Sequence, residues 1–335
     1  GCTLAAFGAS GGSTTVYTAT CTPDNDGETV NVLVAVSTYN DAAGNDNTVS
    51  NTFDWTYEIV QPTMAITSTA GTADGGTSAV EDFALTFTSS EATSDFVVGD
   101  ITATGGDGCT LAGFGASGGS TTVYVATCTP DNDGETVNVL VAAGAFSDAA
   151  GNTNTVSNTF DWTWDGTGPT MTITSTAGTA DGGSSNVEAF ALTFTSNEAT
   201  SNFIVTDITA TGTGGADGCT LASFGASGGS TTVYTATCAP DNAGETVNVH
   251  VAASTFTDAV ANANSVSNTF DWTYEIVQPT MAITSTAGTA DGGTSNVEAF
   301  ALTFTSSEAT SDFVVGDITS PGGDGCTLAG FGASG

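Results

Sequence analysis

The 335-residue chain contains no lysine or arginine against 36 aspartates and glutamates, a formal charge of −36 with one histidine. Without those cations it cannot clamp phosphate through side chains, neutralise nucleic acid or hold an acidic substrate by ion pairing, and it has no lysine for a Schiff base or a Lys–Asn isopeptide bond. At 39% hydrophobic residues it is nonetheless apolar enough to build cores rather than stay a disordered acidic tail. No apolar run reaches the roughly 18–20 residues that cross a bilayer.

The sequence repeats itself about every 108 residues. Pro62-Thr63-Met64 returns as Pro169-Thr170-Met171 and Pro279-Thr280-Met281, and each copy closes on Phe-Asp-Trp, at 160–162 and again at 270–272. This divides the chain into the back half of a repeat (1–61), two complete repeats (62–168 and 169–278) and the front half of another (279–335). Gly1-Cys2-Thr3-Leu4-Ala5 recurs as Gly325-Cys326-Thr327-Leu328-Ala329, so the chain is expected to be an excerpt of a longer array with targeting segments elsewhere.

Along one repeat, the first strong signal is a period of two. Phe83, Leu85 and Phe87 alternate with Ala84, Thr86 and Thr88, and the same alternation returns at Val137, Val139 and Val141 and at Phe160, Trp162 and Trp164. Threonine, valine and aromatic residues fill these runs, while Gly, Asp, Asn and Pro separate them. No helical stripe interrupts the pattern. About seven strands per repeat, each apolar on one face, predict an all-β chain of tandem immunoglobulin-like antiparallel sandwiches. A three-residue expansion at 211–216, against 104–106, marks a surface loop.

The cysteines come next. Cys2 and Cys21, Cys109 and Cys128, and Cys219 and Cys238 share one spacing, and Cys326 has no mate within the chain. One disulfide per repeat follows, with an oxidising, extracellular setting. Cys109 and Cys128 are symmetric about Gly118-Gly119, so the bridge is expected to lock a β-hairpin turning at 116–120, at a contribution of about 3 kcal/mol.

Two acidic loops follow each hairpin. Asp24, Asp26 and Glu28, repeated as Asp131, Asp133 and Glu135, have alternate oxygens like the opening of a calcium loop. The third copy keeps Asp241 and Glu245 but places Ala243 between them. The same residues also read as a tight turn before a strand. The second loop, Asp148-Ala149-Ala150-Gly151-Asn152, becomes Asp258-Ala259-Val260-Ala261-Asn262, with Asp and Asn kept at its ends for turn bonds. Short linkers then join the repeats, with Ile59, Val60, Pro62, Asp165, Pro169, Ile276, Val277 and Pro279 at the joints. Ile59 and Val60 are expected to pack there and give a semi-rigid array. Calcium at the linker acids Glu58, Asp165 and Glu275 would stiffen it.

His250 replaces Leu33 and Leu140 of the other copies and reads as a tolerated surface substitution rather than a catalytic base. No asparagine lies in an N-glycosylation sequon, which leaves O-linked glycans on Thr and Ser as the candidate modification. No motif requires a cofactor; calcium is the one ligand the loops suggest.

Phe-Ala-Leu-Thr-Phe-Thr-Ser-Ser-Glu (83–91), Asp-Ile-Thr-Ala-Thr-Gly-Gly (100–106) and Val-Ala-Ala-Gly-Ala-Phe-Ser-Asp-Ala-Ala-Gly-Asn (141–152) resemble the tandem bacterial-type Ig-like domains of very large surface and secreted proteins. The resemblance covers the whole chain and implies stalk, adhesin or extracellular-fibre roles with no catalytic residues. The expected function is a structural repeat of an extracellular filament or cell-surface appendage that associates with neighbouring copies of itself. The extender stalk of a giant adhesin, or a set of glycan- or mineral-binding modules, are the alternatives.

Overall fold

The computed structural model describes residues 1–68, 73–104, 108–175, 180–200, 202–213, 218–285, 290–321 and 326–332. Gly105 and Gly106 of the family-like motif, and residues 214–216 of the expanded loop, lie outside them. The described secondary structure is strands and single 3-10 turns, without an α-helix.

The first half repeat supplies β1 (Cys2–Ala9), β2 (Tyr17–Pro23), β3 (Thr29–Val32) and β4 (Phe53–Thr56). The first complete repeat follows as β5 (Met64–Ser68), β6 (Gly76–Ser78), β7 (Phe83–Ser89), β8 (Ile101–Thr104), β9 (Cys109–Ala116), β10 (Val123–Pro130), β11 (Thr136–Val141) and β12 (Phe160–Trp164). The second gives β13 (Met171–Ser175), β14 (Gly183–Ser185), β15 (Phe190–Ser196), β16 (Ile208–Gly212), β17 (Cys219–Ala226), β18 (Val233–Pro240), β19 (Thr246–Val251) and β20 (Phe270–Tyr274), and the last half repeat β21 (Met281–Ser285) and β22 (Leu302–Ser306). Each complete repeat thus has eight strands rather than seven, the extra one being the three-residue β6 or β14.

The strands form two compact units. The first comprises Gly1–Met171 with Ser196–Asp207 and Ala252–Ser267; the second comprises Thr172–Thr195, Ile208–Val251 and Asn268–Gly335. In the first unit, a sheet of order β5-β7-β10-β9 faces one of order β6-β12-β11-β8. Phe83, Leu85 and Phe87 are fully buried against Val137, Val139, Val141 and Trp162, so the period-two residues all point into one core. The Trp162 indole stacks on Phe83 with centroids 4.4 Å apart. The second unit repeats that stack at 4.5 Å between Phe190 and Trp272.

Burial depends on both halves being present. Phe53 and Ile283, in the half repeats, are 65% and 59% exposed, whereas their counterparts Phe160 and Ile173 are 4% and 1% exposed.

Disulfides join Cys2–Cys21, Cys109–Cys128 and Cys219–Cys238, each within one antiparallel hairpin, and Cys326 is free and exposed. The hairpin turns through Ser117–Gly119, where Gly118 and Gly119 take φ of 60° and 78°, a region that favours residues without a Cβ. Edge strand β5 is capped by a side chain instead of another strand. Ile66 N–H donates to Asn158 Oδ1 at 2.7 Å, and Asn158 Nδ2 donates back to the Ile66 carbonyl at 3.0 Å. The amide uses up edge groups that would otherwise recruit a foreign strand.

Replacing Cys109 and Cys128 together by alanine is expected to lower the stability of the first complete repeat by about 3 kcal/mol, measured by urea unfolding of the oxidised chain. A much smaller loss would mean that the hairpin holds its register without the bridge.

Candidate functional site

The acidic residues converge at the linkers between repeats. The loop after β10 turns at Gly134, whose φ is 78°, and Gly134 N–H donates to the Trp164 carbonyl at 2.8 Å. This brings Asp133 under the linker, where its carboxylate accepts the Gly166 N–H at 2.6 Å and the Thr167 hydroxyl. The Thr167 hydroxyl, then the Gly166 N–H, hold the Asp133 carboxyl below its ordinary value against the opposing effect of burial. One joint earlier, Asp26 accepts the Ile59 N–H at 2.9 Å.

The other acids of these loops do not gather around a common point. Thr110 donates to Asp131 at 3.4 Å and Asn132 to Glu135 at 3.3 Å; Thr3 donates to Asp24 at 3.2 Å and Asn25 to Glu28 at 3.2 Å. In the third copy Thr220 donates to Asp241 at 3.5 Å, and Glu245 is buried with no partner on Oε1 among the described residues.

The second acidic loop grips the linker from the other side. Asp258 Oδ1 accepts the Val260 and Asn262 N–H groups, both at 2.9 Å, and Oδ2 accepts Asn262 Nδ2 at 3.0 Å. This fixes Asn262, which also donates to the Asp165 carbonyl at 2.6 Å. Asp148 holds Asn152 in the same way, and Asn152 donates to the Glu58 carbonyl at 3.1 Å. Ala261 keeps the left-handed conformation at φ 74° where Gly151 has 94°, so the loop survives the loss of its glycine under backbone strain. Gly168 lies so near the next repeat that a Cβ would sit 1.9 Å from the Ala263 carbonyl oxygen.

Ile59 and Val60 do not pack into the joint: they are 53% and 51% exposed. The loops at 24–28 and 148–152 that meet this linker are built of Asp, Asn, Gly, Ala and Glu, so no large apolar face is there to receive the two side chains. Pro62 and Pro169 are buried at the entries of their repeats, while Pro279 is exposed.

Between these braces lies a cluster that the loop motifs did not reveal. Carboxylate oxygens of Asp165, Glu198 and Asp258 lie within 4.8 Å of one another, with Asp258 buried and the others half-buried. Burial, then the charges of Asp165, Asp258 and Asp133, push Glu198 up, although Asn197 donates to it. Burial, then Asp258, raise Asp165 as well. Burial with the charges of Glu58, Asp148 and Asp26 likewise raises Glu91 in the preceding joint. The missed member, Glu198, repeats as Glu91 and Glu308, each two residues after the end of β15, β7 and β22 respectively. The chain holds no lysine or arginine to balance these acids. An all-oxygen donor set of this kind suits calcium rather than zinc or copper.

A family model described as a bacterial Ig-like domain matches residues 58–163 and 165–274, about four residues before the boundaries set by the sequence repeat. The sequence has no significant match among curated proteins. Among solved structures, similarity extends to InvD of Yersinia pseudotuberculosis (16% identity, 68% of this chain and 63% of that chain, TM-score 0.29). It extends also to the adhesin InvE of the same organism (13%, 64% and 59%, TM-score 0.22) and to domains 5–6 of the S-layer protein SbsC (15%, 64% and 99%, TM-score 0.19). The chain thus matches less than two thirds of InvD and of InvE.

Two outcomes are expected at the joint. A raised Glu198 pKa favours folding below the unfolded value, near 4.3, and that contribution disappears as pH rises through the folded value. Glu198→Gln should therefore stabilise the chain by about 0.5–1 kcal/mol at pH 7 in chelator, with the gain vanishing below about pH 4, read from melting curves against pH. Ala261→Gly should add about 1 kcal/mol by removing the strain at that residue; an unchanged melting temperature would contradict it.

Proposed function

Because the chain belongs to the bacterial Ig-like domain family, a structural rather than enzymatic one, we propose that it is a load-bearing stretch of an extracellular filament or cell-surface appendage. One observation carries this reading. In the first complete repeat, the short strand β6 near the entry pairs in parallel with the last strand β12, in the register Trp162↔Gly76, Thr163↔Thr77 and Trp164↔Ser78. The Gly75 N–H to Asp161 carbonyl bond (2.7 Å) and the Asp165 N–H to Ser78 carbonyl bond (2.9 Å) extend the ladder at both ends.

Tension applied through the linkers passes β5 and draws β6 and β12 apart along their length. Parallel bonds across such a pair are loaded in shear and must fail together, whereas an end-on peel would break them singly. The second unit has the same parallel pair between β14 and β20. The hairpin disulfides support the extracellular setting, since cytosolic thiols stay reduced. No described helix is long and apolar enough to cross a membrane.

Under this reading the partners are neighbouring repeats and other copies of the chain, and exposed Thr and Ser residues are acceptors for O-linked glycans. Calcium joins the same proposal at the Asp165–Glu198–Asp258 cluster, where it would cross-link a linker to the repeat that follows. Melting the chain in calcium and in chelator tests that part: a higher midpoint in calcium that Glu198→Gln abolishes is expected, and identical curves would remove it.

Electron microscopy of the material isolated from its source tests the filament. Ordered fibres of several chains are expected. Single rods, one repeat wide and ending in a distinct head, would replace the filament with the stalk of a surface adhesin.

A further inference from the structure

Two of the three linkers have one sequence. Tyr57-Glu58-Ile59-Val60-Gln61 and Tyr274-Glu275-Ile276-Val277-Gln278 are identical, and their local bonds match closely. Tyr57 N–H donates to the Glu28 carbonyl at 3.2 Å and Tyr274 N–H to the Glu245 carbonyl at 3.0 Å. Gly27 N–H reaches the Tyr57 carbonyl at 2.8 Å and Gly244 N–H the Tyr274 carbonyl at 2.6 Å. Val60 and Val277 each donate to the preceding glutamate side chain at 2.6 Å. The loops beneath them differ at one functional point. Asp26 accepts the Ile59 N–H at 2.9 Å, and Ala243, in its place under Ile276, has no side-chain oxygen to offer.

The brace adds to the backbone bonds at Tyr57 and to the Asn152 grip on the Glu58 carbonyl. Ile59 and Val60 are more than half exposed, so apolar packing does not fix the path of that linker. A carboxylate accepting a backbone N–H is a charge-assisted bond, stronger than an ordinary peptide one. At the intervening joint Asp133 makes two such bonds, to Gly166 and Thr167, although that linker differs in sequence. The brace therefore belongs to the loop rather than to the linker, and a single side chain adds or removes it.

We propose that the aspartate before the loop glycine sets the stiffness of each joint, so that the joint at 274–279, with Ala243, is a hinge among braced ones. A tandem array with such a substitution at intervals bends at defined places while its repeats stay folded. This holds whether the array is a filament or a stalk.

The matched linkers provide the test on the whole chain, since a glutamyl endopeptidase meets the same residues at Glu58 and Glu275. Cleavage after Glu275 is expected to be about tenfold faster than after Glu58, the factor that one charge-assisted bond supplies. Ala243→Asp should slow cleavage at Glu275, and Asp26→Ala should speed it at Glu58. Asn152 also grips the Glu58 carbonyl. If Asp26→Ala left Glu58 as protected as before, that grip and not the aspartate would govern the joint, and the proposal would fall. Amide exchange at Ile59 and Ile276 gives a second reading: equal protection in the unaltered chain, or no gain at Ile276 in Ala243→Asp, would also overturn it.

Discussion

In a chain with 36 acidic residues and no lysine or arginine, a carboxylate can find relief only in N–H and O–H donors or in something from solvent. That constraint accounts for where the acids sit. Asp95 accepts the Ser147 N–H and hydroxyl together with the Thr93 hydroxyl, tying two loops of one repeat together. Asp74 takes the Asp161 N–H beside the parallel strand pair, and Asp100 takes the Val97 N–H across a 3-10 turn. Asp133 and Asp148 do the same at the joint. The acids act as caps for backbone that no strand partner reaches, a role in which a charge-assisted bond contributes more than a surface ion pair.

Where donors run out, the charges accumulate. Asp165, Glu198 and Asp258 are drawn together because each is placed by a different piece of backbone: the linker, the end of a core strand and a tight loop. Their mutual repulsion is opposed by the covalent linker and by the Asn262 grip. The stacked Trp162 and Phe83 and the hairpin disulfide involve no titrating group.

The strands and the hairpin could be read from sequence because their signals are local. Alternation at 83–88 and 136–141, and two cysteines placed symmetrically about Gly118-Gly119, each describe neighbours in the chain. The three-residue β6 escaped because its partner, β12, lies most of a repeat away and so few residues leave no period. Glu198 escaped for a related reason: its importance lies in meeting Asp165 and Asp258, which three separate segments supply. Ile59 and Val60 misled because hydrophobicity signals burial only when an apolar surface faces the residue, and the joint loops offer none. The acidic loops looked like ligand cradles, yet Asp26 and Asp133 spend their oxygens on the linker.

The central claim is that each repeat carries tension through sheared parallel strands while its hairpin stays locked. Stretching single molecules of the chain, oxidised and then reduced, addresses it directly. The hairpin cysteines are 19 residues apart in sequence and 5.6 Å apart at Cα. Reduction should therefore lengthen each unfolding step by about 60 Å, at about 3.3–3.6 Å per extended residue, and leave the rupture force nearly unchanged. A rupture force that collapses on reduction would place the load on the hairpin instead, and steps of equal length in both states would show that the bridge does not shield those residues from extension.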